Sequence, residues 1–326
     1  MDYYLYKLRF DGAVHFGMAD SATSLQSSSD HFCADTLFSA LCHTAGTLWG
    51  GDGIEVLCEQ ADTGRLLLSD SMPWRSREGE DVYYLPKPCA ISQTKQEVPA
   101  GLRKAIKRMA WIPVPEMADF QSSLEGHGLY CPSEEPFGVH EERTMAAVHE
   151  GDDTTPYQVG AYRFKPSCGL YILVGCVDET QAQRLEKLLH ALGTGGIGGK
   201  VSAGYGAFSI EDVILLNEPF DAQTQWLYDA LTAKNPKHYL LLTTSLPADD
   251  ELDNALSGAS YQITRRGGYV QSDTFSHTPQ RKRTQYFLAA GAMLERPFAG
   301  ALYSVAEAGT HPVYRYSKPM MLGVSF

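Results

Sequence analysis

Seven glycines fall within fourteen consecutive residues, GTGGIGGKVSAGYG, from Gly193 to Gly206. Glycine adopts positive φ without steric cost and lets backbone N–H groups converge on an anionic ligand. Lys200 adds a positive charge to this glycine loop, and Ser202 and Tyr205 add polar side chains. The loop therefore indicates an anion-binding segment, and a flexible connecting loop is the structural alternative.

The glycine loop does not fit either of two common nucleotide-binding motifs. Gly193, Gly195 and Gly198 match G-x-G-x-x-G. That motif binds dinucleotides only where it follows a strand and opens a helix, and here it follows a predicted helix. A P-loop would require Gly at 194 and Ser or Thr at 201, where the chain has Thr194 and Val201. Nucleotide hydrolysis is therefore a weak interpretation.

The elements before and after the loop predict the fold of the first part of the chain. Apolar periodicity and capping residues predict, in order, a strand at 3–10, a helix from about 30 to 46, strands at 65–69 and 169–177, a helix at 180–192 and a strand at 207–213. Residues 73–168 are rich in proline, glycine and charge, and we interpret them as a long insertion of mostly solvated loops. The order β-α-β, insertion, β-α-β is that of a ferredoxin-like domain.

A second round of short elements follows residue 217. The patterns predict helices around 226–231 and 249–256, and strands at 239–244, 261–265, 286–294 and 320–324. The prediction is an α+β chain of two ferredoxin-like (RRM-like) βαββαβ domains. The first spans 1–216, with a long thumb-like insertion at about 73–168, and the second spans 217–326.

Charge and cysteine content narrow the class of protein. With 27 Lys and Arg against 39 Asp and Glu, the net charge is −12, so only a local face can be basic. The seven cysteines include no C-x-x-C pair, which argues against a disulfide framework or a zinc knuckle and favours the reducing cytoplasm. The longest apolar run, Leu170 to Val177, is too short to span a membrane. We expect a cytoplasmic protein without a membrane segment.

A second basic cluster lies in the C-terminal part, in RRGGYV (265–270) and QRKR (280–283). Its cationic residues are Arg265, Arg266, Arg281, Lys282 and Arg283. Tyr269 and Phe275 lie between them, and basic groups interleaved with aromatic rings are typical of segments that hold single-stranded RNA. A solvated basic loop is the alternative.

His15, after the first strand, is the one candidate for acid–base chemistry. A histidine there is able to act as a general base on a 2′-hydroxyl in RNA cleavage, but no acid partner stands near it in sequence. The remaining histidines lack metal-ligand spacing and no G-x-S-x-G motif occurs. We predict no metal and no cofactor.

Five stretches of the chain resemble the RAMP proteins of CRISPR systems. More narrowly, they resemble the Csm-type subunit that caps the 5′ end of the crRNA in type III-A effector complexes. The stretches are SSSDHFCADTLFSAL (27–41), LPKPCAISQTKQEVPAGLRKAIKRMAWIPV (85–114), GGIGGKVSAGYGAF (195–208), TRRGGYVQS (264–272) with QRKRTQYFLAAGAML (280–294), and HPVYRYSKPMML (311–322).

This resemblance implies a binding subunit of antiviral defence and not an enzyme. It implies that the chain holds the 5′ handle of crRNA and bridges the large polymerase-domain subunit to the backbone RAMP subunit. The RNA contacts it implies are Gly195, Gly196, Gly198, Gly199, Lys200, Ser202, Tyr205, His15, Ser28, Lys87, Arg143, Arg265, Arg266, Arg281, Lys282 and Arg283. Two other functions stay open. One is a metal-independent endoribonuclease that processes crRNA on the same fold, with His15 or another histidine positioned by a glycine-loop lysine, and the other is a scaffold that binds no RNA.

Overall fold

Antiparallel sheets and helices make up the computed structural model, which describes residues 1–17, 25–90, 98–132, 135–148, 154–272, 274–306 and 309–325. The helices are α1 (Ala34–Asp62), α2 (Ala100–Arg108), α3 (Met117–Leu124), α4 (Glu179–Gly195), α5 (Ala222–Leu231) and α6 (Leu252–Leu256). The strands up to the end of the first half are β1 (Asp2–Arg9), β2 (Phe16–Gly17), β3 (Ser28–Ser29), β4 (Leu66–Leu68), β5 (Met72–Arg77), β6 (Glu80–Pro86), β7 (Trp111–Pro113), β8 (Gly138–Val148), β9 (Thr154–Phe164), β10 (Cys168–Cys176) and β11 (Ser209–Leu215). The remaining strands are β12 (His238–Leu241), β13 (Ile263–Arg266), β14 (Gln285–Leu288), β15 (Met293–Leu294), β16 (Leu302–Ala306), β17 (Val313–Tyr316) and β18 (Met321–Val324). The predicted α+β class is confirmed.

The main sheet runs in the order β11-β1-β10, and both β4 and β5 then pair with β10. Alternate residues of β10 point to opposite faces. Leu170 and Ile172 pack with α1 and α4, whereas Tyr171 and Leu173 pack with α5 and the C-terminal half. The sheet is therefore covered on both faces, which explains why every residue of β10 is buried.

Two helices differ from their predicted lengths. Helix α1 does not end near Gly46 but continues through a kink at Gly50, where φ is 71°. Helix α4 begins as predicted, with Asp178 accepting a hydrogen bond from the Gln181 backbone N–H at 2.8 Å. It ends at Gly195 and not at Leu192, because Gly196, with φ of 87°, takes the cap position predicted for Gly193. Gly193 lies inside the helix, where a Cβ would lie 2.4 Å from the Phe208 carbonyl oxygen.

The predicted insertion is more ordered than its composition suggests. Strand β5, with which the predicted insertion begins, belongs to the main sheet, and β6 and β7 extend that sheet. Strands β8 and β9 form a hairpin paired over eleven residue pairs. The expectation of mostly solvated loops across 73–168 is therefore wrong, because cross-strand pairing and a buried face order residues that show no clear periodicity.

The C-terminal half contains the three-stranded sheet β15-β12-β18 and the two-stranded pairs β13-β14 and β16-β17. The strands predicted in this half correspond to β12, β13, β14, β15 and β18. The pair β16-β17 was not predicted, and it matters because β17 lies against α1 and contributes to the site described below.

The thiols and helices show no disulfide and no membrane span among the residues described. All seven cysteines are free. Across the ranges given above, no helix has the length and apolar character needed to cross a membrane, and no three His, Cys, Asp or Glu side chains gather as a metal site would require.

Candidate nucleic-acid interface

The glycine loop is folded onto the segment that follows β1. The Gly199 backbone N–H donates to the His15 carbonyl at 2.8 Å, and the Gly206 N–H donates to the Ala13 carbonyl at 3.0 Å. The loop also closes on itself through a bond of 3.0 Å from the Ile197 N–H to the Gly206 carbonyl. These bonds hold the loop in one shape at the end of α4.

Several glycines of the loop are explained by close approach to protein backbone and not to a ligand, and Gly198 and Gly206 are two of them. A Cβ on Gly198 would lie 2.6 Å from the His15 carbonyl oxygen, and one on Gly206 would lie 2.1 Å from the Ile197 carbonyl oxygen. Gly198 also has φ of 99°. By contrast, Gly195 is exposed, with no heavy atom within 4 Å of where its Cβ would be. Gly195 therefore leaves space for a ligand.

A cleft of about 1420 Å³ lies between the glycine loop, the first half of α1 and the arm, which we define as residues 266–272 and 274–282. The wall formed by α1 is mostly polar and includes Thr36, Ser39, His43, Thr44 and Thr47. Tyr314 of β17 also lines the cleft and is 37% exposed. The two segments that the sequence singled out therefore face one common space.

The cleft is basic although the chain is acidic. Its lining includes Lys200, Arg266, Lys282 and Arg315, while Asp35 is the one carboxylate among the described lining residues. Four positive charges and one negative charge give +3 with histidines neutral, against −12 for the whole chain. A concave surface with this excess of positive charge attracts anions.

Asp35 and Arg266 form a bidentate ion pair between α1 and the arm. The Arg266 Nη2 and Nε groups donate to the Asp35 carboxylate at 2.5 and 3.0 Å. Burial alone would raise the pKa of Asp35, but the guanidinium of Arg266 outweighs it and holds that pKa below its ordinary value. Arg315 is buried, with its Nε 3.7 Å from Asp35. Its terminal nitrogens donate to the carbonyls of Arg266, Gly267 and Arg283 and to the Gln285 side chain.

Lys200 and His15 lie on the glycine-loop wall of the cleft. The Lys200 ammonium donates to the Tyr157 hydroxyl at 3.1 Å and lies 4.7 Å from the centre of the Tyr157 ring. His15 is buried, and its Nδ1 lies 2.6 Å from the Gly160 carbonyl oxygen. Because a carbonyl only accepts, Nδ1 carries the proton. Hairpin β8-β9 thus orients both residues.

Comparison with known proteins identifies the family. A family model described as the CRISPR Csm4 C-terminal domain matches residues 234–324. The CRISPR system Cms protein Csm4 of Mycobacterium tuberculosis is 34% identical over 321 residues, which cover 98% of this chain and 97% of that protein. The chain belongs to the Csm4 family. The resemblance drawn from the five sequence stretches is confirmed.

Other Csm4 proteins and solved structures extend the comparison. Csm4 of Streptococcus thermophilus is 29% identical, with 98% of each chain covered. A chain in a crystal structure of a Csm3–Csm4 subcomplex of the type III-A interference complex has a TM-score of 0.63 at 16% identity over all of both chains. A chain in a Csm1–Csm4 cassette in complex with cA4 has a TM-score of 0.62 at 17% identity, covering 100% of this chain and 98% of that chain. These structures share the fold of this chain.

In this Csm4-family chain, many of the predicted contact residues lie together in the cleft. They are His15, Gly195, Gly196, Gly198, Gly199, Lys200, Ser202, Arg266 and Lys282. They come from the segment after β1, the glycine loop and the arm, which are far apart in sequence. Their proximity is a property of the fold and could not be read from spacing.

Two predicted contacts are buried and face protein. Tyr205 packs with Ala13 and Ala161, beneath the guanidinium of Arg143, which lies 5.8 Å from the centre of its ring. The Ser28 hydroxyl accepts from the Phe16 N–H at 3.0 Å and donates to the Ser29 carbonyl at 2.9 Å. The expected roles of Tyr205 and Ser28 as direct RNA contacts are corrected to structural roles.

The remaining predicted contacts lie outside the cleft lining. Lys87 donates to the Ile106 carbonyl at 2.9 Å near the end of α2, and Arg143 donates to Glu141 at 3.0 Å on β8. Arg265, Arg281 and Arg283 are exposed but do not line the cleft, unlike Arg266 and Lys282. Arg265 and Arg266 are neighbours in β13, and neighbouring residues of a strand point to opposite faces, so these two arginines lie on different surfaces.

Sequence reasoning missed the contribution of α1 and β17. Thr36, Ser39, His43 and Thr47 recur at helical spacing and form a polar stripe opposite the buried stripe of α1. That spacing is a signal that could have been used. Tyr314 and Arg315 lie within one of the five stretches, but no local pattern separates a cleft residue from its neighbours there.

Proposed function

We propose that this Csm4-family chain is a crRNA-binding subunit of a type III-A Csm complex, which holds the single-stranded 5′ handle in the cleft without cleaving it. The observation that carries the proposal is the cleft of net positive charge that joins the glycine loop to the arm in an otherwise acidic chain. Phosphate contacts supply most of the affinity of proteins for nucleic acid. An acidic chain with a large basic cleft is suited to holding a strand in that cleft.

The surfaces of the cleft fit a single strand better than a duplex. Lys200 and Lys282 provide ammonium groups on two walls for phosphates, and Tyr314 provides an exposed ring for stacking a base. Hydroxyl groups of Ser39, Thr47 and others on α1 are able to bond base edges or 2′-hydroxyls. Phe275, which the sequence suggested as a stacking residue, is buried and is not part of this proposal.

The partners in this proposal are a large subunit and a backbone subunit. Solved Csm4 chains of the same fold form a cassette with Csm1 and a subcomplex with Csm3. We extend that arrangement to this chain. In the proposal, the chain bridges the large polymerase-domain subunit and the backbone RAMP subunit of a complex that acts in cytoplasmic antiviral defence. The hairpin β8-β9, which stands beside the glycine loop, is the thumb-like element of the proposal.

Two ferredoxin-like domains, 1–216 and 217–326, are also part of the proposal. In the first, the order β11-β1-β10-β4 with α1 and α4 packed on one face supports it. In the second, the first strand β12 lies between the last strand β18 and β15, as β1 lies between the last strand β11 and β10 in the first domain. A short helix, α6, follows β12.

Endonuclease activity is the second candidate, because His15 and Lys200 line the same cleft. His15 is, however, tied to the Gly160 carbonyl, and the carboxylate of Asp35 is occupied by Arg266. General acid–base cleavage of RNA needs two groups that exchange protons across the scissile phosphate. The binding function is therefore the better supported of the two.

Co-purification of the chain with the other products of its own operon tests the proposal. Extraction of the nucleic acid and mass spectrometry should find crRNA together with a large and a backbone subunit. Repeat RNA incubated with the purified chain should stay intact without metal, and His15→Ala should leave crRNA maturation unchanged. Loss of maturation in His15→Ala with RNA binding retained would favour the endonuclease, and complexes without RNA would favour a scaffold.

A further inference from the structure

Helix α1 folds back on itself at Gly50. The backbone there is not helical, with φ of 71° and ψ of −161°. The first segment, residues 34–49, and the second segment, residues 51–62, then pack side by side, since a Cβ on Gly46 would lie 3.0 Å from the Ile54 Cδ1 atom. In a straight helix those two positions would be about 12 Å apart along the axis. The two segments therefore form a helical hairpin.

The helical hairpin places two cysteines opposite each other. Cys42 precedes Gly46 by four residues and Cys58 follows Ile54 by four, so each thiol lies one helical turn farther from the kink, on the contacting face of its segment. Both side chains are partly buried and pack against the same hydrophobic core. The two thiols are close enough to share a hydrogen bond. Two sulfur atoms that are distant in the chain are therefore neighbours in the fold.

Small residues at the contact bring the two segments close enough for a disulfide. A disulfide requires Cα atoms within about 7 Å of each other, whereas the axes of packed helices usually lie about 8–10 Å apart. Gly46 and Gly53 lie at the contact, and a Cβ on Gly53 would lie 3.1 Å from the Ala45 carbonyl oxygen. These glycines allow the backbones to approach more closely than larger residues would.

The two thiols are not chemically equivalent. The Cys42 thiol donates a hydrogen bond to the Cys58 sulfur, which lowers the pKa of Cys58, although burial, Asp62 and Glu55 oppose this effect. The same contact raises the pKa of Cys42. Because the thiolate is the nucleophile in thiol–disulfide exchange, Cys58 is suited to react first and Cys42 to react second.

We propose that Cys42 and Cys58 form a redox-active dithiol, which a low-molecular-weight disulfide converts reversibly to a disulfide that closes the helical hairpin. The Cys58 thiolate attacks one sulfur of the small disulfide, whose S–S bond breaks, and the thiolate that leaves takes up the proton that Cys58 lost. Cys42 then loses its proton and attacks the Cys58 sulfur, which releases the second small thiol. The pair is oxidised by two electrons, and the small disulfide is reduced to two thiols.

The disulfide would act on a wall of the cleft, although its formation does not depend on RNA binding. Thr36 and Thr47 of the first segment line the cleft, and the two cysteines lie outside that lining. The second segment is anchored in the core through Leu57 and Ala61. Oxidation would therefore fix the wall to an anchored segment without placing a new group in the cleft.

Peptide mapping of the unchanged full-length chain tests the pair directly. The folded protein is incubated with a mixture of oxidised and reduced glutathione, its remaining thiols are blocked, and the chain is cleaved after Asp and Glu. Asp35 and Glu55 separate Cys33, Cys42 and Cys58 into different peptides. We expect a Cys42–Cys58 linked pair that dithiothreitol removes. Glutathione that stays on Cys58 without any Cys42–Cys58 linkage would overturn the proposal.

Single serine variants test the order of the two steps. Cys42→Ser should accumulate glutathione on Cys58, because the second thiol is missing. Cys58→Ser should carry about tenfold less glutathione on Cys42, whose thiol is the weaker acid. A Cys58→Ser protein modified at Cys42 as fully as Cys42→Ser is at Cys58 would contradict the assigned order.

Thermal denaturation tests whether the bond closes the helical hairpin in the folded protein. Oxidation should raise the thermal midpoint of the unchanged protein by about 4 °C, because the disulfide restricts the unfolded chain. The rise should be absent from Cys42→Ser and Cys58→Ser. Cys131→Ser is the matched control, since that thiol is exposed and lies outside α1, and it should keep the full rise. An equal rise in Cys58→Ser would overturn the proposal.

Discussion

The carboxylate of Asp35 accepts two hydrogen bonds from the guanidinium of Arg266, at 2.5 and 3.0 Å, and so joins the first turn of α1 to the end of β13. These residues are separated by 231 positions in the chain. The ion pair connects two walls of the cleft and sets their separation. It also removes from the site an arginine that composition alone would assign to RNA.

Asp35→Asn should destabilise the protein by about 3 kcal/mol at pH 7, because it leaves a partly buried guanidinium without its charge partner. The folded state holds the pKa of Asp35 below its ordinary value. The stabilisation is therefore present above the unfolded pKa of about 4 and is lost as the pH falls through the folded pKa. Urea denaturation at pH 7, 5 and 3 should show the difference between the unchanged protein and the variant shrinking below pH 4.

Asp52→Asn is the matched control for that measurement, since Asp52 is exposed on the same helix. We expect a change below about 0.5 kcal/mol for it at each pH. Equal stability of the Asp35 and Asp52 variants at pH 7 would show that the ion pair does not hold the two walls together.

Two glycines of the loop should differ in their tolerance of alanine. Gly198 and Gly204 both have positive φ, 99° and 81°. Only Gly198 is also pressed against other atoms, since a Cβ there would lie 2.6 Å from the His15 carbonyl oxygen while nothing lies within 4 Å at Gly204. Gly204→Ala should cost about 1 kcal/mol, from backbone strain alone, and Gly198→Ala at least 1 kcal/mol more. Thermal denaturation of the free chain checks this, and equal losses in both variants would contradict the packing of Gly198.

Lys200→Ala should weaken binding to all handle sequences alike and reduce the salt slope by about 0.7, because a phosphate contact carries little sequence information. Residue 200 has φ of 61°, and lysine and alanine are equally strained at that angle. The substitution therefore adds no backbone strain, and the fold should not change. Titrations of fluorescent single-stranded RNA at several salt concentrations measure the slope. Lys187→Ala on α4 is the control, and a Lys200→Ala slope equal to that of the control would remove Lys200 from the site.

Periodicity and capping residues predicted those helices and strands that a pattern of a few neighbouring residues can identify. The Asp178 cap, the order of strands and helices in the first half, and most strands of the second half follow from periodicity and capping. The extension of α1 through Gly50 was not predictable in this way, because a buried surface on the far side of the kink, at Leu57 and Ala61, offsets the cost of glycine within a helix. Hairpin β8-β9 was missed because its order comes from pairing between two strands whose own residues show no clear periodicity.

The candidate site was predicted in its parts but not in its arrangement. Gly195, Lys200 and Lys282 were identified from composition, and the fold brings them to one cleft. Composition could not distinguish Arg265 from Arg266, because strand alternation decides which of the two faces the cleft. It also could not show that Tyr205 is buried, since burial depends on the hairpin that covers it.

The most direct test of the account is crRNA retention by Gly195→Glu in the assembled complex. Gly195 is exposed at the end of α4, lines the cleft and has open space where a side chain would project. The glutamate therefore places bulk and negative charge in the cleft without straining the loop. Gly51→Glu adds the same side chain to α1 at another open position outside the cleft lining. We predict that Gly195→Glu loses crRNA at least tenfold with an unchanged thermal midpoint, while Gly51→Glu keeps it. Full crRNA retention by a folded Gly195→Glu complex would show that the handle does not lie in this cleft.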